Sequence, residues 1–277
     1  MKKFIYLPMF LVLFSGCFEH REAPERPLKA KSMKQAMELK ADAVILELCG
    51  ERIDALSPEL AQMPKLRQLY LRDAYNITSL AVLPQLKLTH LDMSGTDLQT
   101  LPPEVLQIPT LTTLYLTGNN ISALPAGFDK LGALTYLNLD RNSLAVLPGT
   151  FPAKLRWIRL NGNKLETLPA GWSGLNPERV YLRNNRFAQI PEVVKNWTAL
   201  TDLSMSGNPV REFPAWLAQL SSLKNIDLDD SQIAKLPDDL SALKNLQYLS
   251  LRRCPIPDEE KTRIRKAFSE YRTHVSF

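Results

Sequence analysis

The chain has 277 residues, of which 45% are hydrophobic, and its 34 basic and 29 acidic side chains give a net charge of +5 at pH 7. Such a chain is long enough to bury a large core, whereas five excess positive charges spread over its length do not indicate nucleic-acid binding. Its three histidines, His20, His90 and His274, are too dispersed to predict a metal site or a catalytic triad, so we expect neither an enzyme nor a cofactor.

The first residues have the pattern of an export signal. Two lysines precede an apolar run over residues 4–14, which is too short to cross a bilayer. Cys17 directly follows a Ser-Gly pair, and this junction resembles the lipobox of bacterial lipoproteins. The resemblance implies a signal peptide over residues 1–16, fatty acids such as palmitate attached at Cys17, and a flexible tether over residues 17–31. An ordinary signal peptide with an incidental cysteine is the alternative.

Residues 32–42 are predicted to form a helix that caps the fold. Ser32 is a favourable N-cap residue. The apolar residues behind it recur at helical spacing, namely Met33, Ala36, Met37 and Leu39. The cap is needed because an open end of a repeat array exposes its core.

Residues 43–257 carry one spaced pattern ten times, L-x-x-L-x-L-x-x-N-x-Ψ-x-x-Ψ, where Ψ is apolar. Its fourth position falls at Leu46, Leu69, Leu91, Leu114, Leu137, Ile158, Val180, Leu203, Ile226 and Leu249, in steps of 21 to 23 residues. A period of this size predicts a solenoid. Apolar positions 4 and 6 alternate with positions 3, 5 and 7, which predicts a short strand with one buried face. Position 7 residues such as Asn161 are therefore expected to face solvent.

The repeats resemble the leucine-rich repeat, in the Pro-containing subclass of about 23 residues found in bacterial lipoproteins. The apolar-Pro pairs that carry this likeness end at Pro102, Pro125, Pro148, Pro169, Pro191, Pro214 and Pro237. The resemblance implies an α/β solenoid of about ten coils, with parallel strands on the concave side and capping helices at both ends. It also implies that the position 9 asparagines bond to backbone groups of adjacent coils; Glu51, Thr96, Ser231 and Cys254 depart from that pattern.

Residues 258–277 are predicted to form a second cap. Ile264, Ala267, Phe268 and Tyr271 fall on one face of a helix expected over residues 259–271. Val275 and Phe277 alternate about Ser276 and indicate a last edge strand. The alternative for the helix is an amphipathic segment that binds a membrane surface.

The two remaining cysteines and a cluster of three aspartates were also considered as possible functional residues. Cys49 and Cys254 lie nine coils apart, roughly 40 Å at strand spacing, and so are predicted to be free thiols. We expect Cys254 to be a small buried side chain. Asp227, Asp229 and Asp230 either bind Ca²⁺ or form a solvated acidic face, and the sequence does not decide between these.

The outward positions of four consecutive coils bring together the residue types enriched at binding hot spots. They are Tyr115, Tyr136, Trp157, Arg159, Arg179, Tyr181 and Arg183. We therefore expect a non-enzymatic module that binds a protein or peptide on its concave face and is held at the bacterial outer membrane by its lipid, on either side of that membrane. The alternative is an envelope scaffold without a concave ligand, in which these side chains serve local stability. The oligomeric state is left open.

Overall fold

A computed structural model describes residues 27–277. The predicted signal peptide, Cys17 and the first part of the predicted tether lie outside these residues. The described chain forms one parallel sheet of twelve strands, each paired with its neighbours in chain order. The fourth-position residues of successive repeats lie opposite one another throughout, for example Leu69 beside Leu91 and Leu91 beside Leu114. The predicted solenoid and its strand register are therefore confirmed.

The strands and helices are short. The strands are β1 (Lys29–Ala30), β2 (Ile45–Glu47), β3 (Gln68–Tyr70), β4 (His90–Asp92), β5 (Thr113–Tyr115), β6 (Tyr136–Asn138), β7 (Trp157–Arg159), β8 (Arg179–Tyr181), β9 (Asp202–Ser204), β10 (Asn225–Asp227), β11 (Tyr248–Ser250) and β12 (His274–Ser276). The α-helices are α1 (Met33–Glu38) and α2 (Asp258–Ala267). Turns of 3₁₀ helix lie at Pro58–Gln62, Leu83–Gln85, Pro103–Gln107, Phe128–Lys130, Ala170–Gly174, Glu192–Asn196, Leu217–Gln219 and Ser241–Leu243.

The core lies between the strands and these 3₁₀ turns. The apolar residues of positions 4 and 6 are buried along its length, and large aromatic rings fill it on the convex side. Phe151 lies 4.2 Å from Trp172, measured between ring centroids. Trp172 and Trp197 are fully buried, and each donates its indole N–H to a backbone carbonyl at 3.1 Å. A buried indole needs such an acceptor.

The position 9 asparagines link adjacent coils as the resemblance implied. The Asn142 amide donates to the carbonyl of Leu139 in its own coil and to that of Leu116 in the preceding coil, at 3.0 and 2.9 Å. Its oxygen accepts from the Ile121 N–H at 3.0 Å. Equivalent bonds are made by Asn119, Asn163, Asn185 and Asn208. Backbone groups that the tight turns leave unpaired thus find partners inside the protein.

The amino-terminal cap differs from the prediction in two ways. Lys29 and Ala30 pair with β2, and Ala30 is fully buried, so the tether predicted to extend to residue 31 ends earlier. A strand of two residues carries no alternation from which to predict it. The helix begins at the predicted N-cap, where the Ser32 hydroxyl accepts from the Gln35 N–H, but it ends at Glu38 rather than near residue 42.

The carboxyl-terminal cap consists of α2 and β12. Ile264 and Phe268 are buried against the last coil, which favours a cap over a membrane-binding helix. The helix ends at Ala267, before the predicted Tyr271, and the strand covers His274–Ser276 instead of ending at Phe277. Arg263 holds the helix to the preceding coil by donating to the Leu236 carbonyl at 2.9 Å. Within residues 27–277, no helix is long and apolar enough to cross a membrane.

Candidate binding surface on the concave face

Three aromatic rings form a continuous row across β5, β6 and β7. The centroids of Tyr115 and Tyr136 lie 4.9 Å apart, and those of Tyr136 and Trp157 lie 5.7 Å apart. The rings face outward because residues 115, 136 and 157 occupy odd positions of the repeat, whereas residues at even positions point into the core. Trp157 keeps 36% of its surface exposed, which is high for so large an apolar side chain.

Two arginines extend the row over the next strand. The Arg179 guanidinium lies 4.3 Å from the centroid of the Trp157 ring, and that of Arg159 lies 5.2 Å from the Tyr181 ring. Arg183 follows at the exit of β8. We call the seven residues predicted from the sequence the aromatic–arginine patch: Tyr115, Tyr136, Trp157, Arg159, Arg179, Tyr181 and Arg183. The fold places six of them on four adjacent strands, β5 to β8, and Arg183 just beyond the end of β8.

The patch arginines are neutralised to different degrees. Arg159 lies 2.8 Å from Asp140, whose side chain is only 9% exposed. Arg179 and Arg183 lie 3.7 Å from Asp202 and Asp227, which is near the limit of an ion pair. Both of these arginines are well exposed, and exposed pairs contribute little free energy. Arg159 is therefore held in place, whereas Arg179 and Arg183 keep freedom to meet a ligand.

Burial also sets the protonation of the patch. Loss of solvent raises the pKa of Tyr136 to about 12, with a further contribution from the neighbouring Tyr115. Burial, the largest single influence, would lower the pKa of the Arg159 guanidinium, but the hydrogen bond to Asp140 and the attraction to Asp140, Tyr136 and Tyr181 together outweigh it, and the pKa is raised. At neutral pH the patch therefore presents a neutral phenol and a permanent cation.

A groove of about 300 Å³ lies beside the patch, between Tyr181 and Tyr248. Short polar side chains form its floor, namely Asp202, Ser204, Asn225 and Asp227. Asp227 was considered from the sequence only as a possible Ca²⁺ ligand, and the other three residues and Tyr248 were not among the predicted site residues. The repeat pattern predicts that these side chains point outward from the core. The groove forms because a run of small side chains lies between two large ones, and that run in the sequence could have indicated it.

The aspartates near the groove are hydrogen-bonded within the protein. Asp229 is buried and accepts from the Arg252 N–H at 2.9 Å, from the Arg252 side chain at 2.8 Å and from the Ser250 hydroxyl at 2.6 Å. Asp230 pairs with Arg253. Of the two alternatives left open by the sequence, a solvated acidic face therefore does not describe Asp229, which is buried and fully engaged. Among residues 27–277, no cluster of three or more histidine, cysteine or acidic side chains is arranged to hold a metal ion.

The two described cysteines are free thiols, as predicted. Cys49 is exposed. Cys254 is only partly buried, so the expectation of a fully buried side chain is wrong. It lies 3.2 Å from the Leu228 carbonyl and 3.1 Å from the Ser231 hydroxyl, and burial raises the pKa of its thiol. Cys254 thus takes over part of the bonding that asparagine provides in earlier coils.

Comparison with known proteins supports the assignment of the fold. Residues 86–144 match the family model described as leucine rich repeat. An internalin of Listeria monocytogenes superposes with a TM-score of 0.71 at 21% identity, over 90% of this chain and 71% of that one. A leucine-rich repeat protein of Leptospira interrogans gives 0.53 at 22% identity, over 91% and 82%.

A plant peptide hormone receptor, solved in complex with its peptide, gives a TM-score of 0.61 at 22% identity. It covers 80% of this chain, which spans only 42% of the receptor. Identities this low bear on the fold alone. Ten repeats in register, the asparagine ladder and these structural likenesses together show that this chain has the α/β solenoid fold of leucine-rich repeats.

Proposed function

We propose that this protein is a non-enzymatic module that binds a protein or peptide on its concave strand face. The observation that carries the proposal is the aromatic–arginine patch, whose rings stay partly exposed although the adjacent core is closely packed. Tyr, Trp and Arg are the side chains that contribute most to binding at protein interfaces. The patch is also continuous with a groove, so a ligand could fit into a concave pocket as well as contact the aromatic and arginine side chains.

Two solved structures show the fold in complexes, although their ligands are theirs alone. One is the plant receptor with its peptide hormone, and the other is an octameric complex that includes the leucine-rich repeats of FLRT2. The matched chain of the octameric complex superposes with a TM-score of 0.65 at 19% identity, and the match covers 84% of this chain and 83% of the matched chain.

A structural envelope scaffold is the second candidate. The stacking of Arg179 on Trp157 and of Arg159 on Tyr181 favours it, because such contacts stabilise a sheet without any ligand. A scaffold does not account for the exposure of Trp157 or for a groove lined by fixed polar groups.

Photo-crosslinking in intact cells separates these two functions. A photoreactive phenylalanine analogue at residue 181, in the patch, should yield one dominant adduct with a second protein. The same analogue at residue 146, where Val146 is 74% exposed and off the strands, should not. Equal or absent adducts at both positions would favour the scaffold.

We also propose that fatty acids on Cys17 anchor the protein to the outer membrane, facing either the periplasm or the exterior. The support is the sequence at residues 1–17 alone. Cys17→Ser should abolish incorporation of labelled palmitate and leave either an unlipidated precursor or a soluble periplasmic form. Label retained by this variant would contradict the anchor.

A further inference from the structure

The third-position residues of β7 to β11 form a column that is nearly symmetric about Asp202. In order across the sheet they are Trp157, Arg179, Asp202, Asn225 and Tyr248, each paired with the next. A ring lies at each end and a carboxylate in the middle. On one side Arg179 fills the space between the Trp157 ring and the Asp202 carboxylate. On the other side Asn225 is too short to fill the equivalent space, and the groove lies there.

The unit of ring, guanidinium and carboxylate recurs on this face. Arg179 lies 4.3 Å from the Trp157 ring and 3.7 Å from Asp202. Arg159 lies 5.2 Å from the Tyr181 ring and 2.8 Å from Asp140. Near the amino terminus, Arg72 lies 5.9 Å from the Tyr70 ring and 3.4 Å from Asp92. In each unit a planar cation covers a ring and reaches an acid of an adjacent coil.

Tyr248 lacks this partner. Its side chain is 57% exposed, and no guanidinium of residues 27–277 lies over its ring. Its nearest aromatic neighbour is His274, with centroids 6.1 Å apart, on the side away from the groove. The groove face of the ring is therefore free.

The groove floor offers carboxylates that are fixed but not saturated. Asp202 accepts from the Asn225 amide at 2.8 Å and from the Thr201 hydroxyl at 2.6 Å. Asp227 accepts from the Ser204 hydroxyl at 2.8 Å and from the Asp229 N–H at 3.2 Å. Two carboxylate oxygens accept about four hydrogen bonds, so both acids keep capacity for a further donor.

We propose that this groove binds an arginine side chain of the partner, with its guanidinium stacked on Tyr248 and paired with Asp202 and Asp227. This assignment rests on the proposed binding function and specifies the chemistry of the partner at one position. A guanidinium fits better than an ammonium because it is planar, stacks on a ring and donates to two acids at once.

The protein's own Arg183 is the competitor for Asp227. It lies 3.7 Å from that carboxylate and its side chain is 53% exposed, so it is easily displaced. The reverse arrangement, a partner carboxylate on Arg183, is the opposite outcome and is tested in the same experiment.

The test uses four end-blocked pentapeptides, Gly-Gly-X-Gly-Gly, in which X is arginine, citrulline, lysine or glutamate. Binding to the protein is followed by NMR of tyrosine ring carbons. The arginine peptide should shift the Tyr181 and Tyr248 rings saturably, and citrulline, a neutral analogue of the same shape, should bind at least about tenfold more weakly. Lysine should be intermediate. No shift of either ring, equal binding of citrulline, or preference for glutamate would overturn the assignment.

Three variants locate the site, with the Tyr181 ring as the reporter. Asp227→Asn and Tyr248→Ala should each weaken the arginine peptide by about tenfold or more. Tyr75→Ala, which removes a tyrosine of similar exposure (54%) outside the groove, should leave affinity unchanged. Thermal melts show whether each variant is folded. If the peptides fail while photo-crosslinking at residue 181 still captures a partner, the arginine assignment is wrong and the binding function stands; if both fail, both are wrong.

Discussion

At the scale of single residues, the asparagine ladder is the clearest link between sequence and stability. Asn119 is buried, and its amide donates to the Met93 and Leu116 carbonyls at 2.9 and 3.0 Å. Its oxygen accepts from the backbone N–H groups of Thr96 and Leu98, both at 3.0 Å. One side chain thus serves two coils, and its removal leaves several buried backbone groups without partners.

Asn119→Ala should lower the free energy of unfolding by roughly 1–3 kcal/mol. Asn120→Ala is the matched control, since Asn120 is exposed and next in the chain, and it should have almost no effect. Urea denaturation of the two variants decides. Equal losses would mean that the ladder does not stabilise the fold in this way.

Asn161 is unsuitable as a control although its position predicts a solvent-facing side chain. In the structure its oxygen accepts from the Arg183 N–H at 2.7 Å, so it ties one strand exit to the next. Asp140 and Asp229 make the same bond to the residue at the exit of the following strand. The repeat pattern predicts which way such a side chain points, but not whether its short polar end reaches the adjacent coil.

His90 gives the protein a pH response. Burial lowers the pKa of its imidazole below the usual 6.5, and its ring nitrogen lies 3.0 Å from the Thr89 hydroxyl. The unfolded chain therefore binds a proton more readily than the folded protein, so the stability that His90 contributes is present above about pH 6.5 and is lost as the pH falls below that value.

Denaturant melts between about pH 7.5 and 5.5 should show stability falling in the wild type more steeply than in His90→Gln. His274→Gln is the control, because that histidine lies on the exposed edge strand β12. If His90→Gln retained the full slope, the response would belong to other groups.

At the scale of elements, the carboxyl-terminal cap seals the array. Ile264 of α2 is fully buried, and Ile264→Ala should lower the free energy of unfolding by about 2–5 kcal/mol. Because coils contact only their neighbours, hydrogen exchange should rise first in β10 to β12 and least in β2 to β5. Lys266→Ala, an exposed change on the same helix, should alter neither the free energy of unfolding nor hydrogen exchange. Uniform loss of protection along the sheet would contradict a local cap.

The strands were predictable and some other elements were not. The alternation of apolar and polar residues about Leu114 or Leu137 is compatible with only one strand register, since a shift of one residue would expose the leucines. β1 was missed because Lys29 and Ala30 show no such pattern. The end of α2 was misplaced because the apolar residues Ala267, Phe268 and Tyr271 mark a face and not a terminus, and Tyr271 packs on the core beyond the last helical residue.

At the scale of the whole molecule, the solenoid converts sequence position into position on a surface. This is why all members of the aromatic–arginine patch could be placed together from the sequence, and why each ring–guanidinium contact lies within one coil or between adjacent coils. The groove could not be predicted in the same way. It depends on Ser204, Asn225 and Asp227 being short between Tyr181 and Tyr248, and on the shape that the curved sheet gives to that gap.

The account predicts that this surface has a purpose beyond stability. Trp157 contacts Tyr136 and Arg179 but does not reach the core, so its loss should cost little folding free energy, about 0.5–1.5 kcal/mol for ring and cation contacts. As a binding hot spot it should contribute about 2 kcal/mol or more to affinity. These two magnitudes distinguish a binding surface from a structural one.

The most direct test is the dissociation constant of the partner captured through residue 181, measured with wild-type protein and with Trp157→Ala and Val146→Ala. Thermal melts accompany each measurement to show that the variants are folded. The account predicts a loss of roughly 30-fold or more for Trp157→Ala and no change for Val146→Ala, with both proteins folded. Unchanged affinity of a folded Trp157→Ala variant would contradict a binding site at the aromatic–arginine patch.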